Sequence, residues 1–141
     1  TRSLVAGYRE VELDNELENA REVLSAAGAQ CELVVGAMPA DADARRALGL
    51  AVREATTNIL RHSTATHVSI RLDTDAVAST LTITNDGVGA ASPLGDTPSS
   101  GLAGLRVRVS ALDGELATDS DTGAGRFELR VRIPARASVT A

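Results

Sequence analysis

Three stretches of this chain alternate apolar and polar residues with a period of two. They are Val68-Ser-Ile70-Arg-Leu72, Leu81-Thr-Ile83 and Phe127-Glu-Leu129-Arg-Val131-Arg-Ile133. Such alternation places one residue set on each face of a strand, so each strand is buried on one side only. A chain with three such strands must build a sheet with one covered face and one open face. Helical spacing elsewhere provides the cover. Leu13, Leu17, Ala20, Val23, Leu24 and Ala27 recur over one stretch, closed by Gly28 as a C-terminal cap. Pro39 and Asp41 mark the entry of a long helix that runs to about His62, with Leu48, Val52, Ala55 and Ile59 on one face. Leu102, Leu105, Val109 and Leu112 define a third helix, ended by Asp113-Gly114.

The remaining segments complete the pattern. Cys31-Glu-Leu33-Val-Val35 is a short strand, and Val77 to Thr84 pairs with His67 to Asp73 through the turn Asp73-Thr-Asp75. Glu115 to Thr118 and Arg126 to Ile133 are the last two strands, joined by the polar loop 119–125. Residues 90–100, rich in Gly, Pro, Ser and Ala, form a loop. The expected class is α+β, with helices layered on one face of a mixed, mostly antiparallel sheet. The 141 residues fit one domain, spanning 12–134. Residues 1–11 read as the end of a linker and 135–141 as a frayed tail.

Composition narrows the functional classes. Tyr8 and Phe127 are the only aromatic residues, so the core must be aliphatic and no stacking platform for single-stranded nucleic acid exists. The net charge of −5 argues against neutralising a duplex backbone. The single cysteine, Cys31, allows no internal disulfide, which suits a reducing, cytoplasmic compartment. No stretch is long and apolar enough to span a bilayer, and no direct membrane contact is expected of this segment. The chain begins without Met. It reads as a piece of a larger protein whose membrane region, if it has one, lies upstream.

Three local patterns carry chemistry. Glu54 and Asn58 stand four apart on the long helix, with Arg61 on the same side. Ala47 and Ala51 share that side, where their small side chains leave room above the helix. A solvated helix face would look the same. Asn85-Asp86-Gly87-Val88-Gly89 puts a carboxylate and two glycines at a strand exit, where backbone can approach a ligand, although Asn-Asp-Gly is also ordinary turn chemistry. Ser99-Ser-Gly101-Leu102-Ala-Gly104-Leu105 opens a helix whose free N–H groups suit phosphate, a weak pattern alone.

In this order and spacing the patterns resemble the ATP-binding domain of sensor histidine kinases, within the gyrase, heat-shock chaperone, histidine kinase and mismatch-repair ATPase superfamily. Arg53 to Ser63 is similar to that family's N box and Thr84 to Gly89 to its first glycine box. Gly101 to Gly114 is similar to the second glycine box, in the form of the subfamily paired with LuxR-type response regulators. The resemblance spans about Leu33 to Pro134 and implies the two-layer Bergerat ATP-binding fold. It implies ATP and Mg²⁺ as ligands. Asp86 would accept from the adenine amine at the pocket floor, Asn58 would ligate Mg²⁺, and Glu54 would orient water or assist proton transfer. Arg61 and His62 would face the phosphates. Gly87 and Gly89 would let the chain pass the nucleotide closely. Gly101, Leu102, Gly104 and Leu105 would hold the phosphates, with residues 90–100 as a lid.

The implied partners are a helical dimerisation domain of the same protein, carrying the acceptor histidine, and a response regulator beyond it. No nucleic-acid partner is expected. His62 belongs to the N box, and His67 sits at a strand entry with no special role. Ser99, Val107 and Phe127 depart from the family pattern. Two alternatives stay open: a serine kinase of the anti-sigma-factor type, and a non-catalytic nucleotide-gated binding module.

Overall fold

The structure, a computed structural model, describes residues 12–62, 64–87, 100–121, 123 and 125–135. Three helices cover one face of a five-stranded sheet. In chain order the elements are α1 (Leu13–Ala26), β1 (Gln30–Val35), α2 (Ala42–His62), β2 (His67–Thr74), β3 (Ala78–Asn85), α3 (Ser100–Ser110), β4 (Glu115–Asp121) and β5 (Arg126–Pro134). The strand order is β1-β2-β3-β5-β4. β1 and β2 run parallel, which requires a crossover, and α2 is that crossover. All other neighbours are antiparallel.

The alternation seen in the sequence sets the register. Leu72 faces Leu81, Leu81 faces Val131, and Val131 faces Leu116, so one apolar row crosses four strands. The next row joins Ile70, Ile83 and Leu129. A third joins Cys31, Val68, Asn85 and Phe127 at the end of the sheet where β3 exits. These rows lie under α2, whose Leu48, Val52, Ala55 and Ile59 are all buried.

Local chemistry decides where the helices begin and end. Asp41 Oδ2 accepts from the Ala44 N–H at 3.2 Å, capping α2, and the Arg45 guanidinium donates to the Pro39 and Ala40 carbonyls. α1 stops one residue earlier than its apolar spacing suggests. Ala27 caps it, and Gly28 follows at φ 100°, a left-handed conformation that glycine adopts freely.

Two expectations change. Ala47 and Ala51 do not lie beneath open space: they are 1% and 0% exposed, and they belong to the hydrophobic core. The helix pair is tied at its rim by Arg53 to Glu16 at 2.6 Å. β4 also runs on to Asp121, through residues assigned to a polar loop. Asp119, Ser120 and Asp121 pair with Glu128, Phe127 and Arg126, because a ladder needs backbone partners and not apolar side chains.

Candidate functional site

Several polar residues in the C-terminal half of α2 are shielded from solvent. Glu54 is half-buried and Asn58 is 5% exposed. Thr56 is buried too, but its hydroxyl donates to the Val52 carbonyl at 2.8 Å and is satisfied within the helix. The Asn58 side chain has no hydrogen-bond partner among the described residues. A buried amide without a partner is costly, so such groups are found where a ligand completes them. Arg61 follows one turn later, exposed, at the C-terminal end of α2. His62 closes the helix; its side chain lies outside the described residues.

Asn58 borders a slot between α2 and the sheet, walled by Ala55, Ile59, Ile83, Asn85 and Phe127. Its enclosed volume is about 10 Å³, near that of one water, so the slot is an apolar floor and not a complete pocket. Asn85 is 3% exposed and projects from the same sheet face as Ile83 and Phe127. Its Nδ2 donates to the Asp86 carbonyl at 2.8 Å. The sequence reading gives Asn85 no role of its own within its motif, and takes Phe127 as an apolar strand residue and a departure from the family pattern.

Asp86 is placed differently from expectation. It follows Asn85 by one residue, so it leaves the covered side, and it is not among the residues lining the slot. Its Oδ1 accepts from the Thr66 N–H at 2.7 Å and the His67 N–H at 3.0 Å, and its Oδ2 accepts from the Thr66 hydroxyl at 2.8 Å. Partial desolvation alone would raise its pKa. The bonds from His67 and Thr66 outweigh it and hold the carboxyl at about 2. His67 therefore has a structural part through its backbone, and its ring Nδ1 lies 3.4 Å from Asp86 Oδ2.

Gly87 continues this attachment. Its carbonyl accepts from the Thr64 N–H at 3.1 Å, and its φ is +78°. A Cβ there would come within 2.5 Å of the Thr64 carbonyl carbon, so the close approach of the two segments requires glycine. Gly89 lies outside the described residues.

Gly101 and Gly104 stand in the first turns of α3. Leu105 is in the core, at 4% exposure, and Leu102 packs partly against it. A leucine side chain offers no hydrogen-bond donor, so any anion contact there belongs to backbone N–H groups. A larger hollow, about 600 Å³, lies on the uncovered side of the sheet among Glu32, His67, Ser69, Thr84, Asp86 and Arg126. It is across the sheet from Glu54 and Asn58. Among the described residues no cluster of three or more His, Cys, Asp or Glu could hold a metal by itself.

Comparison with known proteins accounts for this arrangement. Residues 12–131 match the family model described as a histidine kinase-like ATPase domain. The sensor histidine kinase YvfT of Bacillus subtilis (strain 168) is 31% identical over 129 residues, covering 86% of this chain. The match spans 33% of that relative, so the chain corresponds to about one third of its length. The fold is that of the Acinetobacter baumannii histidine kinase AdeS, with a TM-score of 0.68 at 20% identity over 91% of this chain and 67% of that one. It is equally that of the histidine kinase domain from the Erythrobacter litoralis EL346 blue-light activated histidine kinase, with a TM-score of 0.71 at 17% identity over 87% and 63%. The half-buried Glu54, the shielded Asn58 and the glycine turn after β3 thus stand in the setting of a known domain: this chain belongs to the histidine kinase-like ATPase domain family.

Proposed function

We propose that this chain binds Mg-ATP and is the catalytic domain of a two-component sensor histidine kinase. It presents the γ-phosphoryl group to a histidine on a separate helical dimerisation domain, from which a response regulator draws it. The observation that carries this reading is Asn58: a buried amide with no partner among the described residues, one turn from the half-buried carboxylate of Glu54, at the lip of an apolar slot.

Phosphoryl transfer asks a protein for positioning and charge stabilisation more than for covalent chemistry. Ile59, Ile83 and Phe127 supply an apolar floor for a base. The Asn58 oxygen is a hard donor of the kind Mg²⁺ takes, and one protein ligand suffices because that ion keeps water and substrate phosphates. Bound there, the ion would neutralise charge on the phosphates. Glu54 acts as the proton-handling group beside the γ-phosphate. Arg61 faces the phosphates from the end of α2, and the N–H groups from Gly101 to Leu105 receive them at α3. Gly87 lets the chain pass close to the nucleotide.

The test supplies the chain with Mg-ATP, labelled at the γ-phosphate, and a helical acceptor domain. Label that appears on histidine, labile to acid and stable to base, supports the reading. Label on serine of an anti-anti-sigma protein, or bound ATP with no transfer, overturns the histidine kinase assignment.

A further inference from the structure

The sheet ends in two edge strands, β1 and β4, and they are guarded unequally. β4 carries Glu115, Asp119 and Asp121, all exposed, along its seven residues. Charges on an edge oppose the addition of another strand. β1 has Glu32 as its one charge and holds no proline, and Val34 and Val35 are 42% and 37% exposed. Its bonds to β2 define which backbone groups are left over. Gln30 donates its N–H to the Thr66 carbonyl at 2.7 Å, and Gly36 donates to the Leu72 carbonyl at 2.8 Å. In a strand the groups that face one neighbour recur at every second residue, so the even-numbered residues of β1 face β2. The N–H and C=O groups of Cys31, Leu33 and Val35 point outward, with no strand beside them among the described residues. Val35 shares the covered face with buried Leu72, yet it is exposed, so the helices leave this end of the edge open.

We propose that this edge pairs with the same edge of a second copy of the chain, antiparallel, about a two-fold axis at Leu33. The edge itself selects that partner and that register. With Leu33 opposite its own copy, Cys31 stands opposite Val35 of the second copy. Every outward N–H on both strands then meets a carbonyl. Glu32 stands opposite Val34 of the second copy, so the carboxylates do not face one another. A slip of one residue sets outward groups against inward ones. A slip of two residues either opposes Glu32 with its own copy, which like charges resist, or carries Cys31 past the end of the partner strand. Such a contact uses the same surface on both chains, so it closes on itself and stops at a pair. The slot beneath α2 is walled from β3 and β5, away from this edge, and stays open in the pair.

Sedimentation velocity of the chain over a concentration series tests this, and a reversible dimer is expected. Val35→Pro removes one outward N–H from each chain and no bond to β2, a change that an edge strand tolerates. It should raise the dimer Kd about 5- to 150-fold, the range for losing two hydrogen bonds. Val34→Glu and Val34→Arg alter an exposed position and should act in opposite directions. Glutamate faces Glu32 of the second copy and should raise Kd about 2- to 30-fold, while arginine should lower it by a similar factor. Thermal midpoints close to that of the wild type check that the variants are folded. Should Val35→Pro not fold, the Val34 pair decides. A chain that stays monomeric up to about 1 mM overturns the inference, even where the edge takes up an unrelated peptide. So does a dimer that folded Val35→Pro leaves intact. So does a dimer that both Val34 variants weaken, because that result sets Val34 against its own copy or places the contact elsewhere.

Discussion

Asp86 joins the turn after β3 to the segment that enters β2, and the join depends on its charge. The carboxyl titrates at about 2 in the folded chain, against an ordinary value of 3.8. A depressed folded value means that the stabilisation is full above about pH 4 and is lost as pH falls towards 2. The shift alone would correspond to about 2.5 kcal/mol. The side chain is 41% exposed, so solvent screening reduces this to about 1 kcal/mol. Asp86→Asn should therefore cost about 1 kcal/mol at pH 7 in urea denaturation, and the difference from wild type should shrink between pH 4 and 2. Asn58 contributes differently. Asn58→Ala should weaken the Mg²⁺ dependence of ATP binding more than it weakens metal-free ADP binding, and unchanged metal dependence in calorimetry would count against Asn58 as the ligand. The placement of Asn58 near the core edge follows from helical spacing alone. The separation of Asn85 from Asp86 was also legible, since Asn85 keeps the phase of Leu81 and Ile83 and Asp86 breaks it. The role of Thr66 and His67 was not, because backbone donors eighteen or more residues away leave no mark in composition or periodicity.

At the scale of elements, periodicity found all eight and erred where packing partners decide. Ala47 and Ala51 share the spacing of Glu54 and Asn58, yet they are buried in the core, and no local pattern reveals how far along that side of α2 the packing reaches. β4 runs past its apolar residues because β5 continues to offer backbone partners. The joint between α3 and β4 combines both kinds of information. Asp113 takes φ 62° and Gly114 follows it, donating its N–H to the Val109 carbonyl at 2.9 Å. A Cβ on Gly114 would stand 2.6 Å from the Arg132 carbonyl oxygen and 2.9 Å from a Val109 methyl. The obstacle is β5 backbone, which cannot turn aside as a side chain could. Gly114→Ala should cost about 1–3 kcal/mol, the range for a locally strained backbone, and lower the thermal midpoint. If α3 is the phosphate-facing helix, the same variant should also weaken ATP more than adenosine, because it displaces the helix and leaves the slot floor alone.

Across the whole molecule the sheet is a one-sided structure. Its covered face carries the aliphatic rows, with Phe127 as the one aromatic residue in the core among the described residues. β3 lies at the centre of that sheet and ends at Asn85, so this wall of the slot is fixed by the most heavily supported strand. The proposed phosphate contacts lie on the ends of α2 and α3, which share only one face with the core. A ligand spanning the two sides would therefore join a rigid floor to less constrained helix ends. Because Mg-ATP would bind the folded chain and not the unfolded one, it should raise stability by mass action, about 2.7 kcal/mol at a free concentration one hundred times Kd. Denaturant titration with and without Mg-ATP checks this. The increment should be retained in Leu81→Ala, where a fully buried side chain is removed and the baseline falls by about 2–5 kcal/mol. It should be smaller in Asn58→Ala and Asn85→Leu, which act on affinity. An increment that follows baseline stability, irrespective of which residue is changed, would mean that the nucleotide recognises the fold at some other place than the slot beneath α2.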